Sequence, residues 1–183
     1  MLKLLGLAFI LVGFASLAKA QVPTSGNVFF GYSYNHTGSS AFNSSNTNGW
    51  EASLEGKVLP FVGIVADFDG HYGSQNYTIL CPAAINCPTG SHDAAEHNVL
   101  FGPRVSASVG KFRPFAEALF GIGHINVQNV DSDTSFASAF GGGIDYRLLR
   151  VVAVRFQGDY VRTNLFSTTQ NNVRLSTGIA LHF

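Results

Sequence analysis

Few side chains in this sequence could do chemistry. His124 and Ser138 offer a base and a nucleophile for acyl hydrolysis. They lie on different segments, and no carboxylate shares their face to orient the histidine, so the third member of a triad is missing. Cys81 and Cys87 stand in a stretch rich in Pro, Asn, Thr and Gly. In an exported chain they are expected to close a small disulfide loop, worth about 2 kcal/mol. A metal site is the rival, but His92 and His97 sit too far along the same segment for persuasive ligand spacing. The remaining reactive groups are charges, among them Asp67, Asp69, Arg104, Glu117, Arg155, Asp159 and Arg174. What they can do depends on which face of which element carries them. No cofactor is implied, and the sequence reads as non-enzymatic.

The elements come after a leader. Lys3 begins a positive segment, Leu4 to Leu17 is apolar apart from small residues, and Ala18-Lys19-Ala20 has the small-x-small pattern of a signal-peptidase site. Fourteen apolar residues are too few for a membrane-crossing helix, which needs about twenty. Residues 1–20 are therefore expected to be a cleaved signal peptide and residues 21–183 one domain. Removing the leader takes away Lys3 and Lys19 and leaves nine basic residues against eleven acidic. No basic stripe or tail suggests nucleic acid. Charged residues make up 12% of the chain, about half the usual share, while aromatics reach 13% and glycines number 20. That balance would be an aggregation hazard in water and suits a chain whose outside faces lipid.

Beyond the leader the chain alternates with period two. Val28, Phe30, Tyr32 and Tyr34 share one face against Asn27, Gly31, Ser33 and Asn35, and seven later segments repeat the pattern. The spacing predicts eight strands of about ten residues, enough to cross a membrane at a tilt. Tight connections fall after strands two, four and six, around Leu59-Pro60, Val109 to Lys111, and Arg147 to Arg150. Longer polar connections cover about 36–48, 73–96, 125–133 and 165–171. Short turns at one end and long loops at the other fit an eight-stranded antiparallel up-and-down transmembrane β-barrel, with the turns periplasmic.

Charge placement separates this from a soluble barrel. Glu51, Glu55, Asp67, Asp69, Glu117, Asp145 and Asp159 fall on the polar face, as do Lys57, Arg104, Arg155 and Arg174. Asp93, Glu96, Asp131 and Asp133 are assigned to the long loops, and Lys111, Arg113, Arg147 and Arg150 to the flanks of short turns. Only Arg162 falls on the apolar face, at a strand end where headgroups are expected. Arg or Lys at mid-membrane would cost about 2–4 kcal/mol. Aromatics dominate the apolar face near strand ends, whereas a ligand-carrying soluble barrel must keep room inside. Charges enclosed in a narrow lumen must pair. Folding about the intervening connections sets Arg104 opposite Glu117 and brings Asp159 near Arg174, and these pairs are expected to plug the lumen. His71 and His182 read as hydrogen-bonded fillers.

On this pattern the chain resembles the small eight-stranded OmpA-like and OmpX-like outer-membrane barrels over residues 21–183. The most specific element is the end, Leu175-x-Thr177-x-Ile179-x-Leu181-x-Phe183, which is similar to that family's C-terminal assembly signal. The resemblance implies insertion by the barrel-assembly machinery, contact with outer-membrane lipid, and a place in the outer membrane of a Gram-negative bacterium.

The function expected is structural, or binding and adhesion through the long loops, with an extracellular ligand as partner. Inert hydrophilic cover is an equal alternative for those loops. A narrow channel lined by Asp67, Asp69, Glu117, Arg104 and Arg155 is a further reading, and lipid-A modification at His124 and Ser138 the remotest.

Overall fold

A computed structural model describes residues 25–38, 45–77, 90–127, 131–164 and 169–183. The expected leader 1–20 and both Cys81 and Cys87 lie outside the described residues.

Eight antiparallel strands form one closed barrel in sequence order: β1 (Gly26–Gly38), β2 (Ser45–Lys57), β3 (Val62–Tyr77), β4 (Gly90–Ser106), β5 (Phe112–Val127), β6 (Asp131–Arg147), β7 (Val152–Thr163) and β8 (Gln170–His182). Backbone bonds between Gly26 and Phe183, N to O at 3.0 and 3.1 Å, help close the β1–β8 seam. The eight strands match the expected architecture, but at 12–17 residues they are longer than the alternation indicates. Asn46–Asn48 still pair with Tyr34–His36, and Ser74–Tyr77 with Gly90–Asp93. Beyond an apolar layer both faces of a hairpin can be wet, so the hydrophobic period fades while the backbone ladder continues. Glu96 shows the consequence: it belongs to β4 rather than to a loop, and its side chain is buried inside the barrel.

The register fixes the barrel's dimensions. Following paired residues round the barrel from Gly26 leads through Gly56, Ile64, Phe140, Tyr160 and Val173 back to His36, ten residues along β1. With about 3.3 Å per residue and about 4.8 Å between strands, a shear of ten on eight strands gives a tilt of about 41° and a backbone radius of about 8 Å. Each residue then climbs about 2.5 Å along the axis. Arginine side chains from the wall of such a barrel come close to the axis, and Arg104, Arg155 and Arg174 are buried in the interior.

Outside, the face is predominantly apolar from the tight turns up to the level of Arg162. Phe68 and Phe101 meet edge to face with ring centroids 6.4 Å apart, and Phe120 meets Phe140 in the same way at 5.5 Å. Aromatics thus also fill the mid-span, where the sequence pattern had set them near the ends. Among the described outward aromatics with a polar tip, Tyr32, Tyr34, Trp50, Tyr72 and Tyr160 lie in the half nearer the long loops, and Tyr146 lies at the turn end against Phe112, ring centroids 5.2 Å apart. At that end the turns themselves carry exposed Leu59, Phe61, Val109, Leu148 and Leu149.

Two of the three tight turns share one bond pattern. The N–H groups of Val58 and Leu59 both donate to Val62 O, and those of Leu148 and Leu149 to Val152 O, each at 3.0 Å. The third, Val109-Gly110-Lys111-Phe112, is a two-residue hairpin turn closed by bonds of 2.7 and 3.0 Å. Gly110 has φ +63°, as the first central position of a II′ turn requires. A Cβ there would meet nothing within 4 Å, so backbone strain alone opposes substitution. Gly110→Ala is expected to destabilise the barrel by about 1–2 kcal/mol. The check is a fall in the temperature at which the folded band is lost on a detergent heat-modifiability gel, with Lys111→Ala unchanged.

Candidate functional site

The side chains pointing inward from all eight strands form a connected polar network in three tiers. At the turn end, Glu55 is the hub. It accepts from Asn27 Nδ2 at 2.6 Å, Lys57 Nζ at 2.9 Å, and Arg104 Nη1 and Arg113 Nη2 at 3.3 Å each. Arg113 flanks its turn as expected but folds inward, donating also to Ser106 Oγ and to His182 Nδ1, the latter at 2.8 Å. Arginine can only donate, so Nδ1 of His182 is the acceptor and its Nε2 carries the proton toward Asp145, 3.5 Å away.

The middle tier combines charge with aromatic rings. Arg155 grips Asp145 with two bonds of 2.7 and 3.0 Å and reaches Asn27 Oδ1 at 3.0 Å. Its guanidinium lies 4.9 Å from the Phe29 ring centre and 4.7 Å from Phe115, and Arg104 lies 4.5 Å from Phe115 on its own account. Phe115 is therefore shared by two cations, which shields both from water and gives each a favourable quadrupole contact. Neither Phe29 nor Phe115 stands out in the alternation, because both are apolar residues on the polar face. Arg104 also holds Glu117 through Nε and Nη2, each at 2.6 Å, across the β4–β5 hairpin that pairs them in register.

In the upper tier one arginine serves four carboxylates. Arg174 donates to Asp159 from Nε and Nη2 at 3.1 and 2.8 Å, and from Nη1 to Asp67 at 2.9 Å and Asp69 at 2.5 Å. Glu51 lies 3.6 Å from its Nε. Gln157 Nε2 ties this group to the tier below, reaching Glu51, Glu117 and Asp159 at 2.8–3.0 Å. Ser176 donates its hydroxyl to Glu51 and accepts from Ser33 Oγ at 3.0 Å, and Ser33 bonds His71, which faces Asp69 at 3.2 Å. The wall opposite, on β4 to β7, carries Leu100, Leu119, Ala137, Ala139 and Val161, all fully or nearly fully buried.

Among the described residues the lumen thus holds eight buried carboxylates (Glu51, Glu55, Asp67, Asp69, Glu96, Glu117, Asp145, Asp159) against five inward cations (Lys57, Arg104, Arg113, Arg155, Arg174). Asp67, Asp69, Arg104, Glu117, Arg155, Asp159 and Arg174, singled out from sequence, all lie in it. Glu51, Glu55 and Gln157 matter as much. Their lumen position follows from the alternation, but their partners lie across the barrel, at sequence separations that no local pattern encodes.

His124 and Ser138 are not brought together. Both face outward, but His124 hydrogen-bonds Thr134 Oγ1 at 2.7 Å, while Ser138 pairs in register with Phe120 and Arg162. Four residues of strand, about 13 Å, separate the two levels. Leu175, Thr177, Ile179 and Leu181 also face outward, and the Phe183 ring lies close against Gly26 at the seam.

Because Arg174 is enclosed with four acids, its loss strands buried negative charge, at a cost of about 3–5 kcal/mol when one partner is removed. Arg174→Met is expected to abolish the folded band on a heat-modifiability gel or lower its melting temperature severely. Asp67→Asn, which leaves Arg174 three acids, is expected to shift it little.

The outer membrane protein beta-barrel domain model matches residues 5–183. No curated protein sequence shows a significant match. Among solved structures, Neisserial surface protein A is similar with a TM-score of 0.66 at 13% identity, over 86% of this chain and 97% of that one. The outer membrane protein OprG of Pseudomonas aeruginosa has a TM-score of 0.58 at 10% identity, over 86% and 96%. Ail, the attachment invasion locus protein of Yersinia pestis, solved with the heparin analogue sucrose octasulfate, has a TM-score of 0.56 at 12% identity, over 86% and 98%. At such identities these likenesses speak to fold, and the family model speaks to membership: a closed eight-stranded barrel with an apolar outside and a charged, packed inside, this chain belongs to the outer membrane protein beta-barrel domain family.

Proposed function

We propose that this protein is a sealed outer-membrane scaffold that acts through its long loops and does not conduct solutes. The observation that carries the reading is the network from Glu55 to Arg174, which joins all eight strands across the lumen. In a barrel of about 8 Å backbone radius, side chains that meet across the axis leave no continuous water path. In this reading residues 1–20 direct export, the short turns face the periplasm, and the long loops, with Cys81 and Cys87 clipped together, face outward from the cell. Phe183 and the alternating residues before it serve as the signal that the barrel-assembly machinery reads.

The loops narrow the class of partner. Residues 36–48, 73–96, 125–133 and 163–171 contain no Lys or Arg at all, and are rich in Ser, Asn, Thr and Gly. A surface without cations has nothing to neutralise sulfate or phosphate groups on a polyanion. Ail was solved with a sulfated sugar, and that ligand class does not suit these loops. They suit a partner recognised by neutral hydrogen bonds and the occasional ring.

A second reading, a narrow pathway for cations, draws support from the excess of carboxylates over inward cations. Planar-bilayer recording of the full purified barrel separates the two. No steady conductance is expected; a stable, cation-selective current would overturn the sealed scaffold. On immobilised heparin at low salt the protein is expected to pass unretained, and retention released by salt would refute the loop argument.

A further inference from the structure

Of the nine Lys and Arg residues that follow residue 20, five point into the lumen and three (Lys111, Arg147, Arg150) sit at the tight turns. The ninth, Arg162, is alone on the outward face at the opposite end. Ten residues up β7 from Val152, at about 2.5 Å of height each, it stands about 25 Å above the turns, the height of a barrel's apolar band. Tyr160, two residues below it on the same face, belongs to the upper girdle of polar-tipped aromatics. Among the described residues Arg162 has no carboxylate partner.

The guanidinium does not stand on a flat wall. It borders an open recess of about 320 Å³ lined by Phe136, Ser138, Thr163, Asn164 and Thr169. Ser138 is its register neighbour and is nearly buried. Thr169 Oγ1 donates to Asn164 Oδ1 at 3.1 Å, which commits the amide oxygen and leaves its NH2 as the group to meet an acceptor. Asn164 is itself held by its backbone N–H on Ser135 Oγ at 3.3 Å. Phe136 lines the recess from β6, two residues nearer the loops than Ser138, and stacks on Phe120 of β5 with centroids 6.5 Å apart; below the recess Phe120 meets Phe140 edge to face at 5.5 Å. A cation with amide and hydroxyl donors beside it lies at headgroup height, and a broad aromatic surface lies beneath at acyl-chain depth.

We propose that this recess binds the phosphate of a phosphorylated lipid in the loop-side leaflet, with Arg162 as its charged anchor. A phosphate monoester presents two anionic oxygens to a guanidinium fork, which a zwitterionic choline headgroup meets far less well. The aromatic surface below selects a lipid over free phosphate, because only the lipid fills both halves of the site. The proposal shares with the sealed-scaffold reading only the barrel itself. A symmetric bilayer carries the lipid in both leaflets, so its test does not depend on which end faces outward in the cell.

The test uses the full barrel in nanodiscs of phosphatidylcholine with a minor fraction of diphosphoryl lipid A, followed by detergent extraction and native mass spectrometry. Wild type is expected to retain the lipid A over phosphatidylcholine. Arg162→Gln is expected to lose about tenfold in retention, the loss of one charge-assisted contact. Lys111→Gln, at the opposite membrane face, is expected to match wild type. Asn164→Ala, which keeps the charge and the strand pairing, gives an intermediate loss and serves if Arg162→Gln fails to fold. Equal retention by wild type and the Arg162 and Asn164 variants overturns the site. Displacement by millimolar inorganic phosphate overturns the choice of a lipid as its occupant.

Discussion

Closure of eight strands at a shear of ten is the constraint from which the rest of this molecule follows. It fixes a radius of about 8 Å, at which long inward side chains meet others from across the barrel. Charged residues placed on the inward face therefore have no water to solvate them and must satisfy one another. The long arginines do most of this. Arg104, Arg155 and Arg174 are each fully or almost fully buried, and each bridges strands that are not sequence neighbours.

The interior is not uniform along its length. Toward the turns, cations and acids are balanced and interleaved with Phe29 and Phe115. Toward the loops, Arg174 alone faces Glu51, Asp67, Asp69 and Asp159, with a wall of Ala, Leu and Val on the opposite side. The glycines are part of this economy. A Cβ on Gly143 would stand 2.8 Å from the Phe115 ring, and one on Gly31 would stand 2.7 Å from the Phe29 ring. Bulky inward residues fit because a neighbouring inward position is empty. This is the packing logic of a soluble core turned outside in: polar where a soluble protein is apolar, yet filled to the same end.

The outside obeys a separate rule. Lipid demands an apolar surface without charge, and the chain meets it from the tight turns to the upper girdle, where Arg162 marks the boundary. The long loops then carry neither the cations of a polyanion binder nor the apolar run of a membrane anchor.

Period-two alternation alone was enough to determine the eight strands, their faces and the order of short and long connections, because a side chain's face in a strand depends only on its parity. It also set Arg104 against Glu117, since a tight hairpin turns local spacing into register. Strand ends were not legible: beyond the lipid both faces are wet, the alternation loses its meaning, and Glu96 passed for a loop residue. Nor was the inward turn of Arg113, or the apolar filling by Phe29, Leu100 and Phe115. Those depend on which side chains meet across the barrel, and Arg174 meets Asp67 over a separation of 107 residues. Only closure of the sheet decides that distance, because parity says which way a residue points and the radius says what it finds there.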